Sequence, residues 1–354
     1  MERRLYDHVK ELLIEELAGS PPGQRLPSRA ALAERFGVNR TTIERAVSEL
    51  TGEGLLYARD KSGTYTTGRL PAARHAEGGR RWAVVIPDIQ HDTYPGIIRG
   101  IQDAAGDRGI DVILSNTDNS VRRQTACLER FLEGGTDGII LIPAVYEGTD
   151  LRPLMRILER RVPLVLCNRE VPGIQAPVVK SDNFLGGKLA VRHLVRTGRR
   201  RIAYVSPPIY QTSAERYQGY LAALAENGLE QDPSLVSFAC APGEPENALR
   251  AVTRLLQRRA DGVFCFNDAA ACVVYDAAAR LGRKVGRELA VVGYDNTPLC
   301  ESFRPKLTTV DFRTYEVGRR AAELICAMTE GDESARRRSV VVEPSLIGRE
   351  STPG

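Results

Sequence analysis

Between residues 28 and 50 apolar side chains recur at helical spacing. Leu32, Ala33 and Phe36 form one stripe, and Ile43, Val47 and Leu50 form a second. This spacing predicts two short amphipathic helices. Gly37 between them permits a tight turn, and Asn39 stands where it would cap the second helix. A Gly-punctuated stretch through Gly54 and Gly63 then reads as a hairpin. From residue 82 the pattern changes. Apolar runs of strand length lie at 82–87, 111–115, 138–143, 163–167, 201–206, 262–266 and 289–293. Amphipathic stretches of helix length lie between most of them, among them 97–108, 121–133, 185–196 and 214–226. Continuous Val, Ile and Leu strands alternating with helices predict an α/β fold with parallel sheets covered on both faces. Residues 69–81 carry no apolar period and contain Pro71, Gly78 and Gly79, which reads as a linker.

The chain has 354 residues, too many for one ordinary core. The expected division is 1–68, the linker 69–81, and 82–354, the last long enough for two α/β lobes. Hydrophobic residues make up 42% and charged residues 27%, as in soluble globular proteins. Net charge is only +4, and residues 1–68 balance ten Lys and Arg against ten Asp and Glu. Placement says more than the sum: Arg29, Arg40, Arg45, Arg59 and Lys61 fall in the two predicted helices and the hairpin.

No apolar run approaches the ~18 residues of a membrane span. The opening Met-Glu-Arg-Arg lacks the apolar core of a secretion signal. The seven cysteines are scattered, odd in number and without a C-x-x-C pair, so they read as reduced core residues of a cytoplasmic protein. The four histidines are far apart. There is no G-x-S-x-G, and Gly186-Gly187-Lys188 is no phosphate loop because Leu189 stands where Ser or Thr is needed. No catalytic residue, metal or cofactor is expected, and the chain does not read as an enzyme.

The second helix opens on Asn39-Arg40-Thr41-Thr42. It buries Ile43, Val47 and Leu50 and shows Arg40, Thr41, Glu44 and Arg45 on the other side, which suits entry into a DNA major groove. Its first turn offers free N–H groups to phosphate. Leu26-Pro27-Ser28-Arg29, the Arg40-Thr41-Thr42 start and the Ser62-Gly63-Thr64-Tyr65 hairpin together resemble the winged helix-turn-helix of the GntR regulators over residues 4–67. The resemblance implies contact with double-stranded operator DNA through Arg29, Asn39, Arg40, Thr41, Thr42, Arg45, Lys61, Gly63 and Thr64. Ala30 and Glu44 depart from the family pattern, so no operator sequence is implied.

From Trp82 onward the landmarks are Cys167-Asn168-Arg169, Ser181-Asp182-Asn183, Ser213-Ala214-Glu215-Arg216, Phe266-Asn267-Asp268, Gly293-Tyr294-Asp295-Asn296 and Leu307-Thr308-Thr309-Val310. This segment resembles the two-lobed, type I periplasmic-binding-protein-like sensor of the LacI/GalR regulators. The fusion is similar to that of bacterial arabinose-utilisation repressors. The resemblance implies lobes at about 82–181 with 311–339 and 182–310 with 340–354, chain crossings near Ser181, Val310 and Val340, and a homodimer. Ligands of open α/β sheets bind beyond the carboxyl ends of the strands. There Arg169 and Arg216 offer planar donors, Asp295 offers acceptors, and Asn168 and Asn267 offer both. Tyr94 either stacks on a ligand ring or is a surface tyrosine. Asp182 and Asn183 read as caps of the helix that follows. Asp311-Phe312 stands where the family commonly has Gln two residues after the Thr-Thr-Val run, which implies a more apolar or reshaped pocket. The reading is a repressor of carbohydrate-use genes whose operator affinity is set by a small sugar. The alternatives are the same switch with a nucleobase or phosphosugar effector, or an enzyme on the same α/β scaffold.

Overall fold

The computed structural model describes the chain except residues 1–8, 11, 15–16, 18–20, 53, 60–61, 68–79, 145–149, 209–210, 241–243 and 353–354. It divides into two compact units, the first ending at residue 78. In the first unit, helix α1 (Arg29–Phe36) and helix α2 (Arg40–Gly52) precede strands β1 (Leu56–Arg59) and β2 (Gly63–Thr66). Ser28 Oγ accepts from the Ala31 N–H at 3.2 Å and starts α1. Gly37 ends it in the left-handed region at φ 64°, where a side chain would be strained. Asn39 Oδ1 accepts from the Thr42 N–H at 2.8 Å and caps α2. The apolar stripes meet in a small core of Leu32, Ile43, Val47, Leu50 and Leu56, joined by Val9, Leu13 and Leu17. β1 and β2 pair antiparallel. Arg25 bridges Tyr65 on the free edge of β2, where the Leu26 N–H donates to Thr64 O at 2.8 Å.

The second unit holds two six-stranded sheets. The first contains β3 (Arg81–Ile86), β4 (Asp111–Asn116), β5 (Gly138–Leu141), β6 (Leu164–Cys167), β7 (Val178–Ser181) and β13 (Val340–Val342), in the order β4-β3-β5-β6-β7-β13. The second contains β8 (Ile202–Val205), β9 (Val236–Ser237), β10 (Gly262–Cys265), β11 (Ala290–Tyr294), β12 (Thr308–Asp311) and β14 (Ser345–Ile347), in the order β9-β8-β10-β11-β12-β14. Each sheet thus repeats the doubly wound order 2-1-3-4-5, whose ligand crevice lies where the strand order reverses. That places the crevice beyond β3 and β5 in one lobe and beyond β8 and β10 in the other. All neighbours run parallel except β12 and β14, an antiparallel edge that the sequence pattern did not show.

Helices cover both faces. In the first lobe α3 (Tyr94–Gly106) packs on α10 (Thr314–Thr329). In the second, α6 (Asn183–Arg196) packs on α7 (Gln211–Glu226). α4 (Val121–Gly134), α5 (Arg152–Glu159), α8 (Pro245–Gln257) and α9 (Asp268–Arg280) complete the layers. The strand interiors, including Val84, Ile140, Val165, Tyr204, Phe264 and Val292, are fully buried.

The chain passes between sheets after Ser181, after Asp311 and between Val342 and Ser345. The last passage falls later than Val340, because Val340–Val342 still pairs in parallel with β7. The first strand of the second unit, β3, starts at Arg81, inside the stretch read as linker; residues 69–79 lie outside the described part. The seven cysteines are free thiols, but Cys272 is exposed and Cys240 half-buried rather than core. Among the described residues no helix is long and apolar enough to cross a membrane.

Candidate functional site

The loops beyond the two switch points converge on Arg216. Its side chain is almost wholly buried, with 4% exposed. Nε donates to Asn183 Oδ1 at 2.9 Å and Nη1 to the Phe266 carbonyl at 2.6 Å. Nη2 lies 3.5 Å from Asp295 Oδ1. The guanidinium is held between aromatic faces, 3.5 Å from the Tyr294 ring centre and 4.5 Å from that of Phe266. Phe312 stacks on Tyr294 with centres 6.4 Å apart and is buried. The departure at Phe312 thus packs on the ring that faces the Arg216 guanidinium.

The first lobe supplies the facing groups. Thr93 Oγ1 donates to Asp295 Oδ2 at 3.5 Å. Tyr94 is buried; its hydroxyl accepts from Arg169 Nη2 at 3.3 Å, and its ring lies 5.3 Å from that of His91. Arg169 Nη1 donates to the Pro143 carbonyl at 3.3 Å. Asn168 is buried at φ 65°, a left-handed turn that asparagine tolerates. Asn267 caps α9, its Oδ1 accepting from the Ala270 N–H at 2.8 Å. Arg216, Asp295, Arg169 and Tyr94 thus gather around one crevice, with Asn168 and Asn267 attached as chain neighbours of Arg169 and Phe266.

Several groups here escaped the sequence reading. Asp182 alone caps α6, accepting from the Leu185 N–H at 2.8 Å. Asn183 instead bridges Arg216 and Glu215, its Nδ2 donating to Glu215 Oε2 at 3.1 Å. His91 and Thr93 lie on the strand-end loop that leads into Tyr94 at the start of α3, and the strand-end rule would have found them had it been applied to every residue of that loop.

Burial raises the Asp295 carboxyl to about 7 against the pull of Arg216. Burial lowers the His91 imidazole, aided by Arg169 and Arg216 and opposed by Asp88 and Asp92. The Asp295 shift has a definite sign in stability. An acid raised on folding is fully stabilising below its unfolded pKa, and that contribution is lost as pH rises to the folded value. Asp295 therefore makes the sensor less stable between about pH 4 and 7. Asp295→Asn is expected to flatten this fall. Thermal melts of both proteins at several pH values check it, and His91, common to both, cancels in the difference. Parallel curves would place the Asp295 titration outside that window.

In the first unit, Arg40, Thr41 and Arg45 are exposed along α2. Arg40 Nε lies 3.0 Å from Glu44 Oε1, one turn along the helix, with both side chains largely in solvent. A pair of this kind is worth only ~0.3–0.5 kcal/mol, so Glu44 holds Arg40 weakly. Thr42 is bound to the cap, its Oγ1 donating to Asn39 Oδ1 at 2.6 Å. Thr64 is buried and accepts from Arg29 Nη2 at 2.9 Å. That bond fastens the hairpin to the start of α1. Gly63 is exposed at φ 123°, beside the Arg25 guanidinium. Lys61 lies outside the described residues. Arg59, unassigned from sequence, stacks over Tyr57 and Tyr65 at 5.8 and 5.4 Å from their ring centres.

A winged helix-turn-helix followed by two doubly wound lobes around a polar crevice defines a two-part regulator, a DNA reader joined to a ligand sensor. Residues 2–66 match the bacterial regulatory proteins of the gntR family, and residues 191–352 match the periplasmic binding protein-like domain. The HTH-type transcriptional regulator CelR of Thermobifida fusca is 31% identical over 348 residues, 93% of this chain and 99% of CelR. The arabinose metabolism transcriptional repressor of Geobacillus stearothermophilus is 25% identical over 337 residues, 94% of this chain and 92% of the repressor. A solved CelR–cellobiose complex superposes with a TM-score of 0.68 at 26% identity, covering 92% of this chain and all of that one. The chain belongs to the helix-turn-helix transcriptional regulators, with a GntR-type reader and a LacI-type, periplasmic-binding-protein-like effector domain.

Proposed function

We propose that this regulator represses carbohydrate-use genes and that a small neutral sugar, held between its sensor lobes, sets its affinity for operator DNA. The supporting observation is the state of the crevice arginines. Arg216 gives its donors to Asn183, Phe266 and Asp295, and Arg169 gives donors to Pro143 and Tyr94. Arg216 already faces the Asp295 carboxyl at 3.5 Å, so a phosphate or carboxylate entering here would displace an existing partner. Hydroxyl groups suit such a site better, since they both donate and accept alongside Asp295, Asn168 and Asn267, while Tyr94 and Phe266 supply apolar surface. CelR with cellobiose and the arabinose repressor are relatives whose names carry sugars.

Thermal-shift titration with arabinose, ribose, cellobiose and their phosphorylated forms tests this reading. A neutral sugar at 100 times its dissociation constant adds about 2.7 kcal/mol of stability. Shifts with the phosphorylated forms alone, or only with nucleobases added to the same panel, would overturn the neutral-sugar reading and keep the regulator.

On the DNA side, Arg40, Thr41 and Arg45 read or hold the major groove, Asn39 and Thr42 shape the helix start, and Gly63 lets the wing approach. Arg29 and Thr64 act by fastening the wing. Arg40→Ala is expected to weaken operator binding about tenfold, the loss of one good base or phosphate contact. Unchanged affinity in gel-shift titration would move the reading surface elsewhere. A palindromic operator requires a two-fold partner, and the proposed assembly is a homodimer. The edge strand β4 leaves Ile113 and Leu114 40% and 37% exposed, an apolar pair suited to burial against a second copy. Sedimentation of the intact chain measures this.

A further inference from the structure

Each crevice arginine is followed or preceded in the chain by a glutamate: Arg169-Glu170 in the first lobe, Glu215-Arg216 in the second. Both glutamates grip the same ammonium. Lys180 Nζ lies 2.7 Å from Glu170 Oε1 and 2.7 Å from Glu215 Oε1. Lys180 sits on β7, one residue before the chain leaves the first sheet at Ser181. Glu215 lies on α7 of the second lobe. Its other oxygen accepts from Asn183 Nδ2 at 3.1 Å, and Asn183 Oδ1 accepts from Arg216 Nε at 2.9 Å. A second bond joins the same parts of the two lobes, the Glu170 N–H donating to Gln211 Oε1 at 2.9 Å.

We propose that Lys180 is an inter-lobe positioning residue: it ties the Arg169 loop to the first turns of α7 beside the hinge, and so sets together the spacing of the lobes and the aim of both arginines. Its side chain is only 20% exposed and that of Glu215 24%, so the pair is less screened than a surface ion pair. Burial works against the charge, but the hydrogen bonds to Glu170 and Glu215 outweigh it and hold Lys180 above its ordinary value. Without the ammonium, two carboxylates would be left facing each other across the lobe boundary, and like charges at that range repel. The lobes would separate there first. The inference rests on the two-lobed site described above, but not on the identity of the effector.

Hydrogen–deuterium exchange of the intact chain without any effector tests it. In Lys180→Met, peptides covering 168–171 and 211–217 are expected to exchange about tenfold faster, the loss of a charged hydrogen-bond network. Peptides covering β3 and β8 should keep their wild-type rates. Lys180→Arg should retain most of the protection, and Lys180→Glu combined with Glu215→Lys should restore part of it. Unchanged exchange at 168–171 and 211–217 would overturn the proposal. So would an equal acceleration in β3 and β8, which would mean that Lys180 serves general stability. Sugar titrations of the same variants report separately on the effector assignment, which fails on its own if the wild-type protein answers to no neutral sugar.

Discussion

Arg216→Met is expected to lower the melting temperature of the sensor by roughly 10 °C and to abolish its response to effector. Removing one member of a buried ion pair costs about 3–5 kcal/mol, because its partner must then either stay charged without a counter-ion or take up a proton. Here the orphaned group is Asp295, 8% exposed, and the Asn183 Oδ1 and Phe266 carbonyl acceptors lose their donor as well. Methionine fills the aromatic slot between Tyr294 and Phe266, so the loss reports charge and hydrogen bonding more than volume. The double variant Arg216→Met with Asp295→Asn separates the two effects. It should regain a good part of the lost stability while still failing to respond to effector. Calorimetry of the three proteins decides the matter. A single variant that melts within about 2 °C of wild type and still shifts with effector would mean that Arg216 carries neither role.

The parts of this fold that were legible in the sequence are those where one residue or one run suffices. Gly37 needed only the positive φ of a helix end. Asn39 needed only the three-residue reach to Thr42. Strands such as β6 and β10 are buried on all four residues, so their apolar runs stood out. β7, β9, β12, β13 and β14 did not: β9, β13 and β14 hold only two or three residues, and the polar residues Lys180 and Ser181 in β7 and Thr308, Thr309 and Asp311 in β12 break the apolar run. β4 was legible as a strand but not as an edge, since Ile113 and Leu114 resemble core residues until their neighbours are known.

In the crevice, position after a strand located Asn168, Arg169, Asn267 and Asp295. Pairing was another matter. Asp182 and Asn183 are both capping types, and only the fold shows that one turns to Leu185 and the other to Glu215 and Arg216. Thr64 matches a reading position by motif, yet alternation along β2 turns it inward to Arg29. Lys180, Glu170 and Glu215 meet across separations of 10 and 35 residues, where no local pattern links them.

Gly187→Ala is the second large effect expected. Gly187 lies on α6 where that helix touches α7, and a Cβ there would collide with the Arg216 carbonyl. Gly219 on α7 makes the reciprocal approach, its absent Cβ pointing at the Phe184 carbonyl. Two backbones this close cannot admit a methyl unless the helices move apart, since the obstacle is main chain and not a flexible side-chain end. Overpacking of this kind costs ~1–3 kcal/mol or more. The shift is aimed at Arg216, so it should also displace the guanidinium from Asn183 and Asp295. Gly187→Ala is therefore expected to lose stability and at least about tenfold in effector affinity, since a displacement worth 1.4 kcal/mol is already tenfold. Gly106→Ala provides the contrast. Gly106 closes α3 with an ordinary φ, and nothing lies within 4 Å of the place a methyl would take. Alanine there should be neutral or stabilise by ~0.4–1 kcal/mol through the unfolded chain. Parallel melts and effector titrations of the two variants check the pair. Equal behaviour would mean that the α6–α7 contact is loose enough to take a side chain, and that close helix packing does not hold Arg216 in place.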